Sequence, residues 1–152
     1  MPVDYTEQDI YIKGDKFHYY RTGSGKTPLV LLHGFSDNGR CWLPEAAELQ
    51  EYDIILPDAR GHGLSARVQP EQEFDAVEDA ANLIQALGLQ RPIVGGHSMG
   101  ASTASRLGVT RPDLVRALVL EDPPWFMPRV VSVSISHLSQ RTSSFPVEAS
   151  QT

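Results

Sequence analysis

The chain has 152 residues, 41% of them hydrophobic and 21% charged, a balance that can build a core and excludes a disordered polypeptide. Its net charge of −6 is offset by no basic block, which argues against nucleic acid and against an anionic membrane surface as partners. The one cysteine, Cys41, excludes an intramolecular disulfide and a cysteine metal cluster, and fits a reducing compartment.

In chain order, Ile10 to Lys13 and Phe17 to Arg21 read as two strands of a hairpin about Gly14-Asp15. Gly23 to Lys26 is a loop. Pro28 to Leu32 is a continuous apolar run, the pattern of a strand buried on both faces. Trp42 to Glu51 reads as a short helix with Pro44 near its first turn. Asp53 to Leu56 is a second buried strand, stopped by Pro57. Glu71 to Leu87 is the clearest helix: Val77, Ala80, Ala81, Ile84 and Leu87 form one apolar stripe, and Gly88 is placed to end it in the left-handed region. Pro92 to Gly96 is a third buried strand, Met99 to Val109 a helix of small residues closed by Pro112, and Val115 to Leu120 a fourth strand.

Strands in alternation with helices imply an α/β class: a mostly parallel sheet with right-handed crossovers and helices on both faces. Residues 1–128 are expected to hold this domain. Residues 129–152 form a divergent serine-rich tail, expected to be disordered, although Val131, Val133 and Ile135 alternate with serines as an edge strand would. Met1 to Asp9 lacks the apolar core of a signal peptide, and no apolar run approaches the roughly 20 residues of a membrane span, so a cytoplasmic location is expected.

Ligands of such sheets bind outside the carboxyl ends of the strands. Four segments lie there: His33-Gly34-Phe35, Asp58 to Ser65, His97-Ser98-Met99 and Glu121-Asp122. The strongest signal is Gly96-His97-Ser98-Met99-Gly100, a G-x-S-x-G pattern between a predicted strand and a predicted helix. Chain reversal at Ser98 lifts its hydroxyl out of the sheet, and glycines two residues to either side remove the clash of strand with helix. The helix N-terminus behind it favours developing negative charge. The competing reading is a glycine-rich turn or anion site with no covalent role. Acyl transfer also needs two N–H donors aimed at an oxyanion; Met99 supplies one candidate and Phe35 the other. The loop Asp58 to Ser65 reads as a hydrogen-bonded structural loop, with no catalytic proton transfer assigned to His62.

The pieces HGF, DARGHGLS, GGHSMG and LVLEDPPW, in this order and spacing, resemble the α/β-hydrolase superfamily over about Tyr11 to Trp125. They are most similar to its branch of small serine esterases, cofactor-free perhydrolases and carbon–carbon bond hydrolases. A serine at position 98 argues against the dehalogenase and epoxide-hydrolase relatives, which use an aspartate there. The resemblance implies the order nucleophile, acid, histidine, and a lid and further strands after Leu120. This sequence matches only the N-terminal half of that pattern. Asp122, at the end of the fourth strand, and His137, which alone among the histidines follows Ser98, keep the order; the competing readings are a strand-end structural carboxylate and a tail histidine without a scaffold.

The expected function is therefore a serine hydrolase acting on small acyl or carbonyl substrates, truncated and weakly active or inactive, with self-association through an exposed sheet edge. The alternative is a non-catalytic, hydrolase-like binding module. A dinucleotide-binding domain is disfavoured because the first buried strand runs into HGFSDNG and not into G-x-G-x-x-G. No metal-ligand spacing and no cofactor signature is present, so neither is expected.

Overall fold

A computed structural model describes residues 3–23 and 25–124. The predicted tail, with its Val131–Ile135 alternation and His137, lies outside the described residues.

The chain opens with an antiparallel hairpin of β1 (Thr6–Ile12) and β2 (Asp15–Arg21). Its two-residue turn is Lys13-Gly14, one position earlier than the expected Gly14-Asp15, and both residues have positive φ, 52° and 90°. Two positive φ values match the right-handed twist of the paired strands. β1 also starts four residues before the expected Ile10. Its added residues, Thr6 to Asp9, are polar and exposed, so no apolar alternation announces them.

β3 (Thr27–Leu32), β4 (Tyr52–Pro57), β5 (Ile93–His97) and β6 (Ala117–Glu121) follow, and the sheet order is β1-β2-β4-β3-β5-β6. The pairs β3–β4, β3–β5 and β5–β6 are parallel, whereas β2 joins β4 antiparallel. α2 (Ala76–Ala86) and α3 (Met99–Thr110) cover one face, where Val30, Ile55 and Val94 meet Ala81, Ile84, Ala104 and Leu107. A 3₁₀ turn (Gly39–Trp42) and α1 (Leu43–Glu48) cover the other, where Leu29, Leu31, Ile54 and Leu56 meet Trp42 and Ala46. The parallel core strands are apolar on both faces because helices dry both of them.

Two helix boundaries differ from expectation. The expected helix Trp42 to Glu51 is the 3₁₀ turn followed by α1, which Pro44 initiates in its first turn. The expected helix Glu71 to Leu87 begins only at Ala76, because the Asp75 carboxylate accepts from the N–H groups of Val77 and Glu78 at 2.9 and 3.3 Å and sets the start. Its end is as expected. Gly88, at φ 64°, donates to the Gln85 carbonyl while Leu89 donates to Ile84, both at 3.0 Å, which is a Schellman closure.

Candidate active site

β5 runs into α3 with one residue, Ser98, between them. Its backbone stands at φ 51° and ψ −113°, a region that L side chains resist. The surroundings enforce it. The Ser98 N–H bonds the Glu121 carbonyl of β6 at 3.0 Å, and its own carbonyl accepts the first helical bond, from Ser102, at 3.0 Å. A Cβ on Gly96 would lie 2.4 Å from the Gly100 carbonyl carbon, and one on Gly100 would lie 2.1 Å from the Leu32 carbonyl oxygen. Neither contact is physically accessible, so only glycine lets the strand and helix meet at this angle. Ser98 occupies the N-cap position of α3, where a serine ordinarily bonds the first turn, yet its hydroxyl makes no capping bond. The side chain is half-buried, and its oxygen has no hydrogen-bond partner among the described residues.

Met99 is the first residue of α3, and an N–H there has no helical carbonyl to bond. The loop after β3 abuts the turn. A Cβ on Gly34 would sit 3.0 Å from His97 Nδ1 and 3.7 Å from Ser98 Cβ. Phe35 follows, its ring 76% exposed and its N–H without a partner among the described residues. Ser98, Met99 and the Gly34–Phe35 loop are thus brought together at one end of the sheet.

Of the other two candidates the structure describes one. Asp122 follows β6 in the left-handed region, φ 44°, next to the Glu121 whose carbonyl takes the Ser98 N–H; its side chain is exposed and has no ion pair or hydrogen bond among the described residues. His137 lies outside the described residues.

The loop after β4 holds this end of the sheet together. Asp58, 1% exposed, accepts from Gly39 N–H at 2.7 Å through Oδ1 and from Leu64 N–H at 2.8 Å through Oδ2. Ser65 Oγ donates to the Asp58 carbonyl at 2.6 Å and accepts from His18 N–H at 2.9 Å. Arg60 reaches Asp79 of α2 and Asp15 of β2, each at 2.8 Å. Two imidazoles then link the loops after β3 and β4. His33 Nε2 lies 3.0 Å from the Ala59 N–H and its Nδ1 lies 2.7 Å from the Gly34 carbonyl, while His62 Nε2 lies 2.7 Å from the Phe35 carbonyl. Burial holds the His33 imidazole below its ordinary pKa, against the raising effect of its bond to the Gly34 carbonyl. Reading the sequence missed His33 as a member of this cluster. No signal in the sequence marks it, since both of its partners are backbone atoms.

Under Met99 lies an apolar cavity of about 40 Å³, with Phe17, Leu32, His33, Pro57 and Thr103 on its wall.

Comparison with known proteins decides the lineage. Residues 27–149 match the alpha/beta hydrolase fold family. The chain belongs to that family. Its mostly parallel sheet, its two-sided helical cover and its strand–serine–helix turn are those expected from the α/β-hydrolase resemblance. Lipase LipV of Mycobacterium tuberculosis is 39% identical over 107 residues, 70% of this chain and 41% of the lipase. The soluble epoxide hydrolase of a Corynebacterium species is 35% identical over 128 residues, 80% of this chain and 43% of that enzyme. A crystal structure of a bacterial membrane phospholipase A superposes with a TM-score of 0.77 at 30% identity, over 84% of this chain and 43% of the phospholipase. The chain therefore spans about two fifths of the length of these α/β hydrolases.

Proposed function

We propose that this α/β-hydrolase chain carries the nucleophile of a serine hydrolase, acting on small esters, thioesters or activated carbon–carbon bonds through an acyl-enzyme on Ser98. The observation that carries the reading is the strained backbone of Ser98, a half-buried residue whose hydroxyl caps nothing. Strain of this kind persists where function requires it.

In the first step the Ser98 oxygen bonds to the acyl carbon and gives its proton to a base. The carbonyl electron pair moves onto oxygen, and the N–H groups of Phe35 and Met99 receive that charge. The pair then returns, the bond to the leaving group breaks, and the leaving group takes a proton. Water repeats the sequence on the acyl-enzyme. One oxyanion donor is worth about 10²–10³ in kcat.

Asp122 and His137 are the candidates for acid and base within this chain. Among the described residues no imidazole bonds the Ser98 hydroxyl, and a serine without a base is a poor nucleophile. Losing the triad histidine costs about 10⁶-fold in kcat, whereas oxyanion hole and binding alone retain about 10³–10⁴ over water. Without a base at Ser98 the chain would accordingly be a weak hydrolase. The same missing bond favours a second reading, a non-catalytic binding module built on the hydrolase fold. The single cysteine supports a cytoplasmic setting, and β6, which among the described residues is paired on one side alone, supports self-association.

Turnover of p-nitrophenyl acetate and labelling by a fluorophosphonate test the assignment. The expected outcome is slow hydrolysis and slow labelling, both reduced to background in Ser98→Ala. Hydrolysis and labelling unchanged by Ser98→Ala would remove the nucleophile, and labelling as fast as in complete serine hydrolases would remove the claim of weakness.

A further inference from the structure

The peptide joining Gly34 to Phe35 carries the Gly34 carbonyl at one end and the Phe35 N–H at the other, in one plane. Whatever fixes the carbonyl therefore aims the N–H. Two donors fix it: the Asp37 N–H, at 3.2 Å, and the nearer His33, 2% exposed, whose Nδ1 lies 2.7 Å from that carbonyl oxygen. Chemistry settles which ring nitrogen bears the proton. The Ala59 N–H, 3.0 Å from Nε2, can only donate, so Nε2 is the bare, accepting nitrogen. The single proton of the neutral ring then sits on Nδ1 and is donated to Gly34. A second imidazole holds the following peptide: His62 Nε2 donates to the Phe35 carbonyl at 2.7 Å.

We propose that His33 is a positioning residue for the oxyanion donor of the preceding section, a role that rests on that reading. The Ala59 amide locks the ring in its Nδ1–H tautomer, and the Nδ1–H aims the Gly34–Phe35 peptide so that the Phe35 N–H faces the oxygen of a substrate bonded to Ser98. Donation to the carbonyl also polarises the same amide and makes its N–H the stronger donor, an effect of about 10–30% per bond in a chain. The low imidazole pKa that burial gives His33 keeps the ring in the neutral form this requires.

Two substitutions separate aiming from anchoring. His33→Asn keeps a donor near the δ position and loses the acceptor for Ala59. His33→Gln places its polar atoms near the ε position and loses the δ donor. The measurement is nuclear magnetic resonance of the ¹⁵N-labelled 152-residue protein before and after phosphonylation of Ser98 by a fluorophosphonate, with the labelling rate recorded alongside. The phosphonyl oxygen stands in for the oxyanion. In the wild type, His33 should show a protonated Nδ1 and a bare Nε2, and the Phe35 amide proton should move downfield on labelling. His33→Asn should keep that movement and label at close to the wild-type rate. His33→Gln should lose it and label about ten- to a hundredfold more slowly, part of the worth of one oxyanion donor.

An Nε2-protonated ring in the wild type overturns the inference even if neither variant folds, and so does an equal loss in both variants. If Ser98 labels but the wild-type Phe35 amide does not move, the donor role of Phe35 fails, and the inference with it. If Ser98 does not label, the nucleophile assignment itself fails.

Discussion

Ser98 concentrates the cost of this architecture in one pair of backbone angles. At φ 51° and ψ −113° its Cβ crowds its own backbone, and strain of this kind costs about 1–3 kcal/mol. The cost is borne because both ends of the residue are tied, the N–H to Glu121 and the carbonyl to Ser102. Removing the Cβ should release it. A glycine also gains freedom in the unfolded chain, a penalty of about 0.5–1 kcal/mol, so Ser98→Gly should be more stable than Ser98→Ala by about 1 kcal/mol. Urea unfolding of the two variants checks this, since both lack the hydroxyl and differ only in the Cβ. Equal midpoints would mean that the turn is relaxed and that no strain is stored in it.

The elements around that turn are joined by buried polar side chains at the strand ends, and this is where pH should act. His33 bridges the loops after β3 and β4 as a neutral ring, with its pKa held below the ordinary 6.5 by burial. In the unfolded chain the ring protonates at its ordinary value; in the folded chain it resists. The stability it contributes is therefore complete above pH 6.5 and is lost as pH falls from there through the lower folded value. Melting temperature should decline below pH 6.5 before the carboxylates begin to titrate near about pH 5, and His33→Asn should flatten that part of the profile. A wild-type profile flat between these limits would contradict it. The same strand ends show what a sequence does and does not reveal. β3, β4 and β5 are legible because a strand dried on both faces is a continuous apolar run. The Gly96–Gly100 turn is legible because two backbones in contact tolerate only glycine. The start of α2 is obscured, because Glu71 to Phe74 carry no strong helix breaker and only the Asp75 cap marks the boundary. The His33 and His62 bonds are invisible for another reason: a histidine beside a glycine in a loop carries no periodic signal, and its partners are backbone atoms that any sequence possesses.

Across the whole molecule, the chemistry and the weakness of the fold lie close together. The sheet ends at β6 in the order of the described strands, and β6 also carries the Glu121 carbonyl that ties Ser98. One side of this strand packs Leu118 and Leu120 against the α2–α3 layer, whereas Val119 on the other side is 57% exposed. An edge strand with an apolar side chain facing solvent offers unpaired backbone groups and a hydrophobic contact together, which is the pattern of strand-to-strand association. Among the described residues nothing pairs that edge. The expected outcome is concentration-dependent self-association in sedimentation velocity. A charge at the outward position is the device by which natural edges prevent such pairing. Val119→Lys should therefore weaken association by about ten- to a hundredfold, the loss of one buried valine contact worth about 1.5–3 kcal/mol. Because Val119 lies on the solvent side, the melt of the monomer should shift by no more than about 0.5 kcal/mol. Wild-type protein that sediments as a monomer at every concentration would show that the β6 edge is covered, and association untouched by Val119→Lys would place the contact on another surface.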